Sequence, residues 1–462
     1  MEKLGIYVQV PFCQTKCTYC NFHTGVVGSS RFAPYVEVVC REIREHQELL
    51  KAAGVEWPGR FGCEGQPGGP GTTGTGAAPL RRKGEGLRDV GKRPASEGGP
   101  YTETTLGVDT VYIGGGTPSL LDPAHLQNIL DAIRETFKTC AEGASGGSRK
   151  SGGKPPHSQI SGATGGEGAG KIEEVTLEAD PETVEPEKAT AWVRAGINRV
   201  SFGLQSFVDR ELIAAGRMHR RADIYRAVPI LRGAGIRNIS FDLIAGLPHQ
   251  TKESWRQSLE ELVALAPEHV SVYLLEIDEG SRLGKELLQG GGKYSAGAVP
   301  SEDEMAEFYE TAQESLAAAG YHHYEISNWA KPGFESKHNL KYWRREPYLG
   351  FGAGAHSFSG TERWANAHDA AAYVAAVQGG RLPVEQHEKL TAEGALEEEL
   401  FLGLRQLDGI DVGRIEREYG VALTGRFDPL ASAGLVKRDG DLVRLAPEKL
   451  SVSNEVFVEL MR

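Results

Sequence analysis

The stretch YVQVPFCQTKCTYCNF, residues 7–22, decides the fold of this chain of 462 residues. An apolar segment typical of a β-strand runs into three cysteines, Cys13, Cys17 and Cys20, in a C-x3-C-x2-C spacing. Three thiolates from one short loop can hold three corners of a [4Fe-4S] cluster, which leaves the fourth iron without a protein ligand. An iron that is open to a substrate or cofactor indicates chemistry, whereas four cysteines would favour simple electron transfer.

The same loop permits a second interpretation. His23 follows Cys20 by three residues and would complete a Cys3His zinc site, which is tetrahedral. The loop by itself leaves this alternative open, so the choice depends on the sequence that follows.

Downstream of the loop, short apolar segments rich in β-forming residues alternate with amphipathic helical stretches, as in a βα barrel. The segments are 110–113, 174–177, 199–203, 239–243 and 270–275. Each is followed by glycine or polar residues, such as Gly114 and Glu276. Because the carboxyl ends of the strands form the active-site face of such barrels, we expect the functional site at these positions.

Five motifs in this order resemble one known family. They are the cysteine loop, GGGTPS at 114–119, TLEADP at 176–181, RVSFGLQSF at 199–207 and FDLIAGLP at 241–248. Together they resemble the radical S-adenosylmethionine (SAM) proteins related to oxygen-independent coproporphyrinogen III oxidase. The resemblance covers nearly the whole chain apart from two inserts, and it disfavours zinc. It implies an α/β fold with a partial (β/α)6 TIM-type radical SAM barrel.

Within that family the chain departs from the oxidase in two places. The oxidase has a further cysteine two residues after the last cluster ligand, where this chain has Phe22. It also has a long N-terminal extension over its substrate, where this chain has six residues before Tyr7. KHNLKYW at 337–343 is instead similar to the HNxxYW signature of the HemW-like haem chaperone branch. The resemblance therefore implies haem binding and delivery to apo-proteins, with oxidative decarboxylation of coproporphyrinogen III as the alternative.

The resemblance also implies the site residues. Cys13, Cys17 and Cys20 would hold the cluster, and its open iron would be chelated by the amino and carboxylate groups of SAM. The carried-over cofactor positions are Tyr7, Gly115, Gly116, Thr117 and Glu178 for SAM, and Gln205, Arg217 and Asp242 at a second nucleotide-sized pocket. Helix capping and loop ion pairing are the alternative roles of Glu178 and Asp242. With an electron donor, the cluster could cleave SAM to methionine and a 5'-deoxyadenosyl radical, and whether the chaperone branch uses this radical is left open.

Among the 13 histidines, His338 in the HNxxYW signature is the candidate haem ligand. A neutral imidazole is a good axial ligand of haem iron. Tyr342 and Trp343 would pack against the flat macrocycle. The alternative is that this motif only fastens the segment after the barrel to the core.

Composition limits the function classes. With 63 acidic and 51 basic residues the net charge is −12, which disfavours a nucleic-acid partner. No uncharged apolar run approaches the roughly 18 residues that a membrane span requires. Residues 1–5 are too few and too polar for the apolar region of a signal peptide, so we expect a cytoplasmic protein with reduced thiols. Cys40, Cys63 and Cys140 have no ligand-like spacing and are interpreted as core or loop thiols.

Two stretches interrupt the barrel pattern. Residues 54–107 contain 21 glycines or prolines in 54, and residues 141–170 contain 12 in 30, against roughly 12% in average proteins. Such segments bury too little apolar area to offset the entropy lost on ordering, so both are predicted to be disordered surface insertions.

The C-terminal part predicts a different fold. Helical spacing in 397–405, 412–419 and 427–433 precedes two alternating strands around the Asp439-Gly440 turn. Three helices and a hairpin indicate a winged-helix-like α+β domain, and its mixed charge favours a cap or docking module over DNA binding. The expected division is 1–320 for the barrel, 321–389 for an extension carrying HNxxYW, and 390–462 for this domain.

Overall fold

The computed structural model describes residues 2–22, 24–55, 106–137 and 172–460. His23 and nearly all of the two predicted insertions lie outside these ranges, so the zinc alternative with His23 and the predicted disorder of 54–107 and 141–170 stay predictions. Cys63 and Cys140 also lie outside them, whereas Cys40 is a buried free thiol as expected.

Strands and helices alternate through the first two thirds of the chain. The elements are β1 (Glu2–Val10), β2 (Phe12–Cys13), β3 (Gly25–Val26), α1 (Phe32–Ala53), β4 (Leu106–Gly115), α2 (Pro123–Thr136), β5 (Glu174–Ala179), α3 (Pro186–Ala195), β6 (Arg199–Gln205), α4 (Asp209–Ala214), α5 (Arg221–Ala234), β7 (Asn238–Ala245), α6 (Lys252–Leu265), β8 (His269–Leu274), α7 (Arg282–Leu288) and α8 (Glu302–Ala318).

Six of these strands form one parallel sheet in the order β1-β4-β5-β6-β7-β8. The sheet is open rather than closed, which confirms the predicted partial (β/α)6 barrel. Its strands are almost entirely buried, as expected when helices cover a parallel sheet. Trp192 of α3 and Trp255 of α6 are fully buried and belong to this core.

The next part of the chain extends the sheet at both edges. Its elements are β9 (His322–Glu325), β10 (Asn328–Ala330), α9 (Lys337–Trp343), β11 (Tyr348–Phe351), β12 (His356–Phe358), β13 (Glu362–Asn366), α10 (Ala370–Gln378) and β14 (Val384–Lys389). β11 pairs in parallel with β1 and carries β12, β13 and β14, whereas β10 pairs antiparallel with β8 and carries β9. Residues 321–389 therefore lengthen the sheet to twelve strands.

A separate small sheet follows. The elements are α11 (Ala392–Gly403), β15 (Ile410–Asp411), α12 (Val412–Tyr419), α13 (Thr424–Ser432), β16 (Val436–Asp439), β17 (Leu442–Leu445) and α14 (Ser453–Leu460). Three helices and the β15-β17-β16 sheet give the predicted winged-helix-like arrangement. Gly434 and Gly440 have positive φ angles of 71° and 60°, so glycine is favoured just beyond α13 and in the hairpin turn. The sequence did not predict α14.

The C-terminal domain packs on the β10-β9 edge of the large sheet. The Ile326 amide donates to the Arg405 carbonyl at 3.0 Å, and the Leu407 amide donates to the Tyr324 carbonyl at 3.1 Å. These main-chain bonds bring the end of α11 to the open side of the barrel. Among the helices in the described ranges, none is long and apolar enough to span a bilayer.

Candidate functional site

The cysteine loop is held by main-chain bonds to two other segments of the barrel. Its Thr18 amide donates to the Ala215 carbonyl at 2.9 Å, and the Leu283 amide donates to the Thr18 carbonyl at 2.8 Å. Asn21 adds a side-chain bond to Asp278. The loop between β2 and β3 is therefore fixed by residues just after α4, just before α7 and in the first turn of α7, although its own sequence contains little secondary structure.

The glycine motif after β4 packs directly against the start of this loop. The Gly116 amide donates to Val10, and the Thr117 amide donates to Phe12, at 2.8 and 2.7 Å. A Cβ atom at Gly116 would collide with the Phe12 carbonyl, so only glycine permits this approach.

A cavity of about 590 Å³ opens at the carboxyl ends of the parallel strands, beside these two loops. Ten of the twelve predicted site residues line it, namely Cys13, Cys17, Cys20, Gly115, Gly116, Thr117, Glu178, Gln205, Arg217 and Asp242. Their placement in one cavity agrees with the expected site. That they bind a cluster or SAM stays a prediction.

The three thiols face the same cavity without converging on one point. Among the described residues, no three His, Cys, Asp or Glu side chains stand close enough to hold a single metal ion. A zinc ion needs every donor about 2.0–2.3 Å from its centre, whereas a [4Fe-4S] cluster places each thiolate on a different iron. Burial raises the pKa of the Cys13 and Cys20 thiols. The donor set therefore fits a cluster better than a single ion.

Arg217 connects the cysteine loop to the neighbouring strands. One guanidinium nitrogen donates to Cys17 Sγ at 3.5 Å, and the other donates to the Gly203 carbonyl at 2.6 Å and pairs with Asp180. Asp180 in turn fixes Arg217 and accepts a bond from Thr117 at 3.1 Å.

Glu178, at the end of β5, is held by Tyr112 and the glycine motif. The Tyr112 hydroxyl and the Gly115 amide each donate to one of its carboxylate oxygens at 2.9 Å. Burial raises the pKa of Glu178 to about 7, although these bonds oppose the shift. Glu178 can therefore accept or donate a proton near neutral pH.

Asp242 and Gln205 are two further polar residues that line the cavity. Asp242 accepts from the Ser201 hydroxyl at 3.2 Å, and burial raises the pKa of its carboxyl. Gln205 ends β6 with a φ angle of 67°, a region that non-glycine residues rarely adopt. Such strain persists at functional sites when the surrounding structure enforces it.

Two predicted residues lie outside the cavity wall. Tyr7 is on β1, where its hydroxyl donates to the side chain of Gln9 and its ring stacks on Tyr112 at 6.0 Å. Its expected contact with SAM stays a prediction. His338 is the second, and it lies buried in the core rather than on the cavity wall.

The structure argues against His338 as a haem ligand. Its side chain is fully buried, with Nδ1 bonded to the Thr110 hydroxyl at 2.9 Å and Nε2 bonded to the Tyr342 hydroxyl at 2.8 Å. Burial lowers its pKa to about 3. Glu174, at the amino end of β5, accepts from the His338 amide at 3.0 Å. With both ring nitrogens occupied, His338 fastens α9 to the core, which is the alternative that the sequence left open.

Several lining residues were not predicted. Asp180 lies in the TLEADP motif at a strand end, so its position could have identified it. Five further residues line the cavity but come from the C-terminal domain and carry no motif, namely Arg405, Leu450, Ser451, Ser453 and Asn454. Only their packing against the barrel brings them there.

Comparison with known proteins agrees with this geometry. Residues 103–262 match the model of the radical SAM superfamily, and residues 390–448 match the HemN C-terminal domain. The haem chaperone HemW of Bacillus subtilis is 31% identical over 455 residues, which cover 98% of this chain and 97% of that protein. HemW of Synechocystis is 32% identical over 87% of this chain and 78% of its own.

Among solved structures, coproporphyrinogen III oxidase (HemN) from Escherichia coli matches with a TM-score of 0.70. The match covers 100% of this chain and 89% of that one at 18% sequence identity. At this identity the likeness shows the shared fold alone.

Proposed function

Because this chain belongs to the radical SAM family and to its HemW-like haem chaperone branch, we propose that it binds a [4Fe-4S] cluster, SAM and haem and delivers haem to acceptor proteins. One observation carries the proposal. The thiols of Cys13, Cys17 and Cys20 line the same cavity as the glycine motif and a set of buried carboxylates. A chaperone that works with reduced thiols and an electron donor suits the cytoplasm.

Each group of residues at this site would have a separate role. When bound, the cluster and SAM supply one-electron cleavage of a sulfonium. Cys13, Cys17 and Cys20 would hold the cluster, and Arg217 would donate a hydrogen bond to the Cys17 sulfur. Gly115 and Gly116 line the cavity without a side chain, while their amides brace the site by donating to Glu178 and Val10. Glu178 and Asp242 offer carboxylates to hydroxyl or amino groups of SAM, and the C-terminal domain keeps water from the cavity.

Haem needs a different surface because His338 is committed to the core. We propose that the macrocycle lies on the apolar rim of the cavity, formed by Phe22 and Met218. These two side chains line the cavity and are 64% and 56% exposed, which is unusual for large apolar residues. Covering them with a flat apolar ligand would remove this surface from water.

The test of the proposed function uses one anaerobically reconstituted sample. We expect one [4Fe-4S] cluster per chain, saturable haem binding and transfer of haem to an apo-protein, with no decarboxylation of coproporphyrinogen III in the presence of SAM and dithionite. Replacing Cys13, Cys17 and Cys20 together with alanine should remove the iron and the brown colour. Cys40→Ala is the matched control, because Cys40 is a buried free thiol that does not line the cavity.

Two outcomes would contradict the proposal. Stoichiometric zinc without iron would exclude the cluster. Robust formation of protoporphyrinogen would favour the alternative, an oxygen-independent coproporphyrinogen III oxidase.

The rim is tested separately by haem titration of the Phe22→Ser, Met218→Ser double variant. Losing two apolar contacts should weaken haem affinity by about tenfold or more. Leu288→Ser is the control, since Leu288 is 64% exposed and does not line the cavity. Equal haem affinity in the wild type and the double variant would show that haem does not bind on this surface.

A further inference from the structure

Thr24 lies beside the cysteine loop in a fixed position. The next residue, Gly25, begins β3, which pairs in parallel with β2 so that Phe12 faces Gly25 and Cys13 faces Val26. The Thr24 amide donates to the Phe22 carbonyl, and the Gly25 amide donates to the Pro11 carbonyl, each at 2.8 Å. These main-chain bonds hold the turn without using the side chain of Thr24.

The hydroxyl of Thr24 differs from most buried polar groups in its hydrogen bonding. Its oxygen is buried and has no hydrogen-bond partner among the described residues. Leaving a buried hydroxyl unpaired costs about 1–3 kcal/mol, and the large majority of buried side-chain polar atoms have a partner. Thr24 also lines the cavity that holds the three thiols. The position therefore points to a partner inside that cavity.

One of the thiols is close to this hydroxyl along the paired strands. Thr24 immediately precedes β3, whose partner strand β2 carries Cys13, and both residues line the cavity. A donor that stabilises negative charge on a thiol sulfur does the same for a sulfur that binds iron.

We propose that the Thr24 hydroxyl donates a hydrogen bond to a sulfur on the Cys13 side of the cluster and makes that cluster easier to reduce. The inference rests on the proposed cluster and adds a tuning residue to it. One-electron reduction adds one negative charge to the cluster and changes no other bond. Hydrogen bonds to the sulfurs are among the factors that set cluster potentials.

The test compares Thr24→Val, which keeps the shape but loses the hydroxyl, with Thr24→Ser, which keeps the hydroxyl. The full-length protein is reconstituted anaerobically without SAM, and the midpoint potential is measured by a redox titration followed by electron paramagnetic resonance. For Thr24→Val we expect the ratio of reduced to oxidised cluster at a fixed potential to fall about tenfold, which corresponds to about 59 mV for one electron. Thr24→Ser should stay near the wild-type potential.

An unchanged potential in Thr24→Val, at wild-type iron content, would overturn the inference. If Thr24→Val and Thr24→Ala lose the cluster while Thr24→Ser retains it, the hydroxyl is needed to hold the cluster and the contact is supported. Loss of the cluster in all three variants would mean that Thr24 only packs the turn, and would overturn it. A wild-type protein without any cluster would instead refute the proposed function itself.

Discussion

His338 and Glu178 are both buried in the barrel, but their hydrogen bonds give them different tasks. Both ring nitrogens of His338 are hydrogen-bonded, one to the Thr110 hydroxyl and the other to the Tyr342 hydroxyl. Glu178 is anchored by Tyr112 and Gly115 and still lines the cavity. At the residue scale, the partners that surround a side chain decide whether it is available to a ligand, since an imidazole without a free nitrogen cannot coordinate iron.

At this scale we predict the effect of His338→Ala. The variant should lose roughly 2–5 kcal/mol of unfolding free energy, because it leaves a cavity and two buried hydroxyls without a partner. The absorption spectrum and affinity of bound haem should not change. Denaturant unfolding and haem titration of the same samples measure both effects, and a stable variant with an altered haem spectrum would restore His338 as a ligand.

At the element scale, a buried carboxylate ties α1 to the segments that follow β11. Glu42 accepts from the Gly352 amide at 2.9 Å, from Asn366 at 2.7 Å and from the Tyr373 hydroxyl at 2.6 Å. One side chain of α1 therefore contacts three residues that lie 310, 324 and 331 positions further along the chain. Burial raises the pKa of Glu42 to about 7, so its bonds do not fully compensate for lost hydration.

This shift predicts a pH dependence of stability. The native protein keeps the Glu42 proton up to about pH 7, whereas the unfolded chain releases it near its ordinary pKa of about 4.3. The native state thus binds more protons in this window, and stability falls as pH rises through it, by roughly 3 kcal/mol from this group.

Glu42→Gln should remove that component of the fall. Urea unfolding at pH 5 and pH 8 gives the difference, with Glu45→Gln on the same helix as the control, because Glu45 is partly exposed and pairs with Arg41 on the surface of that helix. An equal decline with pH in the wild type and Glu42→Gln would show that Glu42 does not titrate in this way.

At the scale of the whole molecule, ion pairs join the C-terminal domain to the extended sheet. Glu398 of α11 accepts two bonds from Arg363 of β13, at 2.6 and 2.8 Å, and one from Arg345 at 3.2 Å. Bidentate pairs of this kind are stronger than single surface contacts. They hold in place the domain that contributes Arg405, Leu450, Ser451, Ser453 and Asn454 to the cavity wall.

We therefore predict that Glu398→Gln loosens this domain. Amide hydrogen exchange in residues 392–403 should accelerate, the unfolding free energy should fall by roughly 1–3 kcal/mol, and the cluster should decay faster in air because the cavity is less covered. Glu418→Gln is the control, since Glu418 is 53% exposed and pairs with Arg414 on the surface of its own helix. Unchanged exchange and cluster lifetime would show that other contacts fix the domain.

The sequence by itself determined the local features of this protein. The C-x3-C-x2-C loop and the apolar strand segments predicted the barrel and a site at its strand ends, because strand ends in a parallel sheet share one edge. The resemblance to the radical SAM family implied ten residues that line the cavity. The Asp439-Gly440 turn between alternating strands similarly predicted the C-terminal hairpin. The strand segments, the cysteine spacing and the hairpin turn can be predicted because each depends on residues that are close together in the chain.

Only the tertiary structure decided which side chains are free to act. HNxxYW gives no sign that His338 faces Thr110, a residue 228 positions away, nor that Arg405 reaches the cavity. Thr24 has no motif, and only its buried, unpaired hydroxyl identifies it. Burial and hydrogen-bond partners arise from contacts between distant segments, and those contacts exist only after the chain has folded.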